Sequence, residues 1–207
     1  MPDTPNSDDK PRPAPSARPP AAAGADRPVR RPVPKKPAEM PCDPWEGALP
    51  AALQERFSDR LSRVVLLGGQ KLLVADIAAA FEILSCLKQE HGFDYLVDVT
   101  AVHWPDKPEQ FEIVWTLYSF SANERVRLKA GLADGQPVPS ATALYSSANW
   151  LEREVYDMFG IEFQDHPDLR RILMPDEWEG FPLRKEYGIV QQDSDWVREN
   201  LKIESAQ

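Results

Sequence analysis

Residues 149–187 read NWLEREVYDMFGIEFQDHPDLRRILMPDEWEGFPLRKEY, and this stretch determines how the second half of the chain can fold. Its first part carries apolar residues at helical spacing after Ser147 or Asn149, either of which can cap a helix. A helix is therefore predicted over 150–159. Gly160 follows the last apolar residue and can end this helix in the left-handed conformation.

Charged residues within this predicted helix suggest local pairing rather than catalysis. Arg153 and Asp157 are four residues apart, so they are expected to pair on the helix surface. Glu152 and Glu154 are two residues apart and point about 200° away from each other, so they cannot share a substrate as an acid/base pair.

The residues after the helix are predicted to form an extended arm. The spacing of Pro167, Pro175 and Pro182 excludes long helices, because proline lacks the backbone N–H that a helix interior needs. The arm is assigned to residues 161–207. Within it, residues 195–203 are expected either to form a final short helix or to fray.

Two basic pairs in the arm, Arg170-Arg171 and Arg184-Lys185, have two interpretations. They are either a solvated charged face or guanidinium groups that dock on acids of another protein. Trp178 and Phe181 favour docking, because an exposed arm would otherwise leave large aromatic rings in water.

Upstream of the motif, the pattern predicts an α+β fold. Residues 48–57 have helical spacing, and 77–90 should form a helix capped by Asp76 and stopped at Gly92. The expected buried stripe of that helix comprises Ile77, Phe81, Leu84 and Leu87. Short apolar or alternating runs predict strands at 63–67, 71–74, 95–103, 111–120 and 125–130. We expect a small, mostly antiparallel sheet, a meander of three or four strands, with helices packed on one face.

Composition divides the chain into a tail (1–44), a globular α+β domain (45–160) and the arm (161–207). Fourteen of the 21 prolines lie in residues 1–50, and the tail has few large apolar side chains, so it is expected to be disordered. The rest of the chain has 16 Lys/Arg against 27 Asp/Glu. This acidic body argues against nucleic-acid binding, which needs clustered positive charge.

Cofactor and membrane signals are absent from the sequence. Cys42 and Cys86 are far apart and suit a reducing cytoplasm, and the three histidines, His91, His103 and His166, have no ligand-spaced partners. His166, which precedes a proline, is expected to be a hydrogen-bonding turn residue. No nucleotide-binding glycine motif and no apolar run of membrane-spanning length occurs. Any membrane contact is expected to come through a partner.

The motif resembles one family, the C subunit of the proton-pumping NADH:quinone oxidoreductase, respiratory complex I. The similar blocks are Asn149-Trp150-Leu151-Glu152-Arg153-Glu154, Asp157-Met158-Phe159-Gly160, His166-Pro167-Asp168-Leu169-Arg170-Arg171 and Pro182-Leu183-Arg184-Lys185. Similarity covers roughly residues 50–190. Three positions depart from the pattern, namely Phe181, Glu186 and Gly188, so no role of the family's histidine is carried over to 181.

The resemblance implies a non-redox structural subunit in the quinone module of the peripheral arm, on the cytoplasmic side of the bacterial inner membrane. It implies packing against the D and B subunits of that complex, near others such as the I subunit. The whole complex uses NADH, FMN, Fe–S clusters and quinone and translocates protons, with no cofactor, metal or catalytic residue expected on this chain. The candidate partner-interface residues are Trp150, Glu152, Arg153, Glu154, Asp157, Phe159, Gly160, His166, Pro167, Asp168, Arg170, Arg171, Trp178, Pro182, Leu183, Arg184 and Lys185.

Two other functions are kept as hypotheses. The chain could be the homologous subunit of a membrane-bound hydrogenase or of a complex that takes electrons from another donor. It could also be a hydrolase that uses carboxylates of the arm, although the sequence offers no nucleophile–base arrangement.

Overall fold

A computed structural model describes residues 40–187, 198–199 and 202. This part contains eight strands and three α-helices, with a short 3-10 turn at Ser58–Arg60. The strands are β1 (Cys42–Pro44), β2 (Leu61–Leu67), β3 (Gln70–Asp76), β4 (Tyr95–His103), β5 (Phe111–Ser119), β6 (Glu124–Leu132), β7 (Val138–Pro139) and β8 (Phe163–Gln164). The helices are α1 (Ala48–Phe57), α2 (Ile77–Gln89) and α3 (Ala148–Phe159). The α+β prediction is confirmed.

The main sheet has six strands in the order β1-β2-β3-β6-β5-β4, more than the three or four that we expected. The strands β4, β5 and β6 form the predicted antiparallel meander, and β2 and β3 form a hairpin. The hairpin and the meander join through a parallel pair of strands, β3 with β6. Local alternation cannot reveal this pairing, because it joins strands that are more than 45 residues apart in sequence.

The sheet begins before the predicted start of the domain. Cys42–Pro44, which composition assigns to the tail, forms β1 and pairs antiparallel with β2. Trp45 follows directly and is buried, with the Lys71 ammonium 5.5 Å from its ring centroid. The edge strand brings the chain into the core, so the predicted boundary at residue 45 falls inside the folded part.

The core lies between the sheet and the helices. Along β5, one face is at most 1% exposed and comprises Phe111, Ile113, Trp115, Leu117 and Ser119. Helices α1, α2 and α3 contact this side of the sheet at β2, at β3 and β6, and at β4 respectively. No helix in the described part of the chain is long and apolar enough to cross a membrane.

The helix boundaries were largely predicted, but the capping interactions were not. Asp76 precedes α2 in an extended conformation, yet its carboxylate makes no capping hydrogen bond. The Ser147 hydroxyl donates to the carbonyl of Leu96 (3.1 Å) instead of capping α3, which begins at Ala148. Of the predicted α2 stripe, Leu84 and Leu87 are fully buried, whereas Ile77 and Phe81 are only half-buried. Gly160 ends α3 in the left-handed conformation, as predicted.

The residues after α3 pack on their own domain rather than projecting from it. Ile161 and Phe163 are buried, and β8 pairs parallel with β7. The Leu183 N–H donates to the carbonyl of Met158 (3.0 Å), and the Lys185 N–H donates to Nδ1 of His103 (2.9 Å). The described part of the predicted arm is therefore part of the globular fold, and the short helix or frayed end expected at 195–203 lies mostly outside the described residues.

Candidate partner interface

Asp157 organises the motif from the buried face of α3. Its Oδ2 accepts the backbone N–H groups of Ile172 (3.0 Å), Leu173 (2.7 Å) and Met174 (2.9 Å). Its Oδ1 accepts Nη1 of Arg171 at 2.8 Å. Burial alone would raise the pKa of this carboxyl, but the hydrogen bonds outweigh burial and hold the pKa below its usual range. The carboxylate thus fixes residues 171–174 in one conformation.

Arg153 is the residue that we expected to pair with Asp157 on the surface, and this prediction was wrong. Both side chains are buried. The Arg153 guanidinium donates from Nε to the carbonyl of Arg170 (3.1 Å) and from Nη2 to that of Arg171 (3.4 Å), and it lies 4.9 Å from the Trp150 ring centroid. The two residues share one face of α3, as their spacing predicts. The downstream segment covers this face, and both side chains bind that segment instead of each other.

Glu152 is also buried, but its surroundings favour the neutral carboxyl, whereas those of Asp157 favour the carboxylate. It accepts the Ser140 hydroxyl and the Ala141 N–H, both at 2.7 Å, and no cation neutralises it among the described residues. Burial therefore raises the pKa of this carboxyl to about 7, although both hydrogen bonds act against the rise. Glu154 is exposed, so the two glutamates point apart as predicted.

His166 has the predicted turn role. Its Nδ1 accepts the N–H of Asp168 (3.0 Å), so Nε2 carries the proton and donates to the carbonyl of Asn149 (3.1 Å). These bonds attach the turn that contains Pro167 to the start of α3. Asp168 and Arg170 form an exposed ion pair beyond the turn (2.9 Å).

Arg184 is also engaged within the chain. Its guanidinium contacts both carboxylate oxygens of Asp134 (2.9 and 3.1 Å), and Nε donates to the carbonyl of Phe159 (2.7 Å). The same group lies about 5 Å from the rings of Phe111 and Phe181. The expectation that Arg171 and Arg184 use their guanidinium groups on another protein is therefore corrected, because both bind acids of their own chain.

The motif nevertheless exposes large side chains. Trp150 is 64% exposed, Leu173 59% and Leu183 50%, and the Arg170 side chain is 70% exposed. Of the other predicted residues, Glu154, Pro167, Asp168 and Lys185 are exposed, Gly160, His166, Trp178 and Pro182 are half-buried, and Glu152, Arg153, Asp157 and Phe159 are buried. The buried members can support an interface but cannot contact a partner directly.

One cluster of ligand-type residues was missed by sequence reasoning. Cys86, Glu90 and His91 bring one ligand atom each within 4.8 Å of one another at the end of α2. The Arg56 guanidinium contacts both the Glu90 carboxylate and the Cys86 sulfur. A guanidinium thus already neutralises the acid that a metal ion would need. The Cys86–Glu90 spacing of four on a predicted helix was the available signal.

The family model described as "Respiratory-chain NADH dehydrogenase, 30 Kd subunit" matches residues 73–193. The chain is similar to the C subunit of the NADH-quinone oxidoreductase of Trichlorobacter lovleyi, at 47% identity over 69% of this chain and 84% of the relative. It is also similar to the corresponding subunit of Rhodobacter capsulatus, at 42% identity over 73% and 78% of the two chains.

Two solved structures share the fold. A trypsin-resistant fragment of Nqo5 superposes with a TM-score of 0.52 at 32% identity, covering 58% of this chain and 98% of the fragment. A chain of an archaeal membrane-bound sulfane sulfur reductase superposes with a TM-score of 0.61 over 75% of this chain and 90% of its own length. At 21% identity, the second likeness shows the fold alone.

Proposed function

The chain belongs to the family of the respiratory-chain NADH dehydrogenase 30-kDa subunit, which is the C subunit of bacterial NADH-quinone oxidoreductases, and from this membership we propose that it is a non-redox structural subunit of the peripheral arm. It sits in the quinone module, on the cytoplasmic side of the inner membrane, and packs against the D and B subunits, near the I subunit. The complex passes electrons from NADH through FMN and Fe–S clusters to quinone and translocates protons, and this chain's contribution is to hold neighbouring subunits in place.

The observation that carries this proposal is the way the motif uses its charges. The two buried acids and three of the arginines bind partners within the chain. Asp157 holds residues 171–174, including the Arg171 guanidinium, and Glu152 holds the turn at 140–141. Arg153 binds the carbonyls of residues 170 and 171, and Arg184 binds Asp134. These ionisable groups bind other groups of the same chain, whereas the ionisable groups of a catalytic site point towards a substrate. Their arrangement therefore favours a structural role.

The surface that this scaffold presents has the composition of a binding hot spot. Trp150, Leu173 and Leu183 are large apolar side chains that water covers in the isolated chain, and Arg170 lies next to the loop that carries Leu173. Tryptophan and arginine are enriched among residues that dominate binding energy. Rigid loops beneath them lower the entropy cost of association.

The test is affinity capture of the full chain from mildly solubilised native membranes, followed by mass spectrometry of the co-purifying proteins. Recovery of flavin-bearing NADH-oxidising subunits together with quinone-module subunits is the expected result. Recovery of a nickel–iron hydrogenase subunit instead would assign the chain to the related class of complexes, and recovery of no partner would overturn the structural role.

Matched tryptophan variants localise the interface in the same experiment. Trp150 and Trp104 are both exposed, and each has a cation over its ring, Arg153 at 4.9 Å and Lys107 at 4.4 Å. Trp150→Ala should reduce recovery of the complex roughly tenfold or more, as loss of a hot-spot side chain does. Trp104→Ala should leave recovery unchanged. Equal effects of the two variants would contradict the proposal that the motif forms the partner interface.

A further inference from the structure

A second exposed aromatic cluster lies away from the motif. Tyr95 on β4 and Tyr118 on β5 are paired across neighbouring strands, and Phe120 follows in the turn after β5. The Phe120 ring centroid is 5.0 Å from that of Tyr118 and 5.7 Å from that of Tyr95. Phe120 is 66% exposed and Tyr95 47%. Three contacting rings in water are a larger apolar feature than scattered single side chains.

Two arginines, Arg125 and Arg127, stand beside these rings. Arg125 and Arg127 alternate with the buried Val126 and Leu128 on β6, so both point to the face of the sheet opposite the core. Arg125 is the strand neighbour of Tyr118 and lies on the same face. Within the described residues, neither arginine has an acid within salt-bridge distance.

A cavity of about 400 Å³ lies where β3 and β6 begin side by side. Tyr118, Asn123, Glu124, Arg125 and Arg127 line it, together with Gly69, Gln70 and Lys71 from the hairpin. Lys71 is already paired with Glu124 at 2.5 Å, so the two arginines supply the unneutralised charge. The cavity can therefore take a carboxylate, which guanidinium groups bind with two parallel hydrogen bonds.

This cluster lies at the end of β5 away from Arg184 and Leu183. Strand β5 starts at Phe111, which contacts the Arg184 guanidinium, and ends at Ser119, directly before Phe120. Nine residues of strand separate Phe120 from this contact by about 27 Å. Trp150 is nearer in that direction, since α3 begins beside Leu96, but α3 packs on the core face of the sheet and the cluster lies on the other face.

We propose that Tyr95, Tyr118, Phe120, Arg125 and Arg127, here called the aromatic–arginine patch, bind an acidic segment of a second neighbouring subunit. This inference rests on the proposed function and adds to it a second binding surface, on the face of the sheet opposite the core, and the chemistry of the segment that it takes. A carboxylate of the segment enters the cavity between the arginines, and an apolar side chain next to it packs on the three rings. Tyrosine and arginine are enriched at such interfaces.

Charge favours a protein segment over an anionic lipid surface. Outside residues 1–44 the chain carries 16 Lys/Arg against 27 Asp/Glu, so a membrane of negative charge repels the body as a whole. A short acidic segment reaches the cavity locally and meets only the patch, because exposed charges farther than about 8 Å are screened at physiological salt.

The test places a photo-crosslinking amino acid, p-benzoylphenylalanine, at position 120 or 104 of the full chain in cells, and maps crosslinked peptides in the purified complex. Both positions are exposed, so neither replacement disturbs the core. We expect position 120 to crosslink to a segment of another subunit that has at least two Asp or Glu residues, and position 104 to give no such crosslink. Absence of this crosslink in an assembled complex, or one to a segment without acids, overturns the inference.

Charge reversal gives an independent readout. Arg125→Glu combined with Arg127→Glu should lower recovery of the chain with the complex about tenfold, equivalent to roughly 1.4 kcal/mol. Arg63→Glu is the matched control, since Arg63 is an exposed strand arginine outside the patch. Equal recovery of all variants, or flotation of the purified chain with phosphatidylglycerol vesicles that the double variant abolishes, overturns the inference. Failure of the unmodified chain to co-purify would instead overturn the proposed function.

Discussion

The Arg171 guanidinium lies 2.8 Å from Oδ1 of Asp157 and joins α3 to a loop that the chain reaches 14 residues later. Asp157 is fully buried and the Arg171 side chain is 14% exposed. The same carboxylate accepts three consecutive backbone N–H groups. Removing the charge of Asp157 therefore affects both the ion pair and the conformation of the loop.

Asp157→Asn should destabilise the fold by about 3 kcal/mol. It leaves the Arg171 guanidinium without its acid, and it replaces one acceptor oxygen by an NH2 group that can only donate. Urea unfolding, with Glu154→Gln as the exposed control on the same helix, measures this difference. The wild-type chain should also lose stability as pH falls below about 4, the unfolded pKa of an aspartate, because the folded pKa is lower. An Asp157→Asn variant as stable as the control would show that the ion pair is unimportant.

The wild-type chain should lose stability as the pH rises towards 7, and Glu152→Gln should abolish this loss. Because the pKa of Glu152 is about 7 in the folded chain and about 4.3 when unfolded, the folded state holds a proton that the unfolded state releases. Stability contributed by this group is present below pH 4 and is lost as pH rises to 7, by up to about 3 kcal/mol. Unfolding free energies of wild type and variant at pH 5 and pH 8 measure the difference, and parallel pH profiles would contradict the raised pKa.

Gly160→Ala should be more harmful than a typical substitution at a left-handed glycine. A Cβ at 160 would overlap the Phe181 ring, in addition to the strain at φ +72°. Gly135→Ala is the control, since φ is +73° there and no atom of the described residues lies within 4 Å of the added Cβ. We expect about 1 kcal/mol for the control and at least 1 kcal/mol more for Gly160→Ala, measured by thermal unfolding. Equal losses would show that Phe181 moves aside freely.

Arg170→Ala and Arg171→Ala should separate binding from folding, although they are adjacent. Arg170 is exposed and pairs only with Asp168 among the described residues, so its loss should leave the unfolding free energy unchanged and weaken recovery of the complex. Arg171 holds Asp157, so its loss should cost about 2–3 kcal/mol of stability. Unfolding curves and affinity capture of the same two variants provide both readouts, and an unstable Arg170→Ala would contradict the assignment.

Elements governed by local periodicity could be predicted from the sequence. Helix α1 and strand β4 have the predicted bounds, and Gly160 ends α3 because its left-handed conformation is a local property. The parallel β3–β6 pair and the strand at Cys42–Pro44 could not be predicted, because their hydrogen bonds depend on residues far along the chain.

For the candidate site, the sequence identified the residues of the motif but not their partners. Arg153 and Asp157 have the spacing of a surface pair, and burial by residues 170–174 redirected both. Helical spacing shows which residues share a face, but it does not show what will cover that face. The aromatic–arginine patch was not predicted either, because it combines residues from three strands and a turn.

The β3–β6 pair also sets the order in which the nascent chain can fold. Strand β3 leaves the ribosome about 55 residues before β6, so the hairpin β2–β3 has an open edge while the intervening helix and two strands are made. An unpaired strand edge is a template for association with other chains. Translational pausing between residues 76 and 124 should therefore promote aggregation, whereas pausing after residue 187 should not.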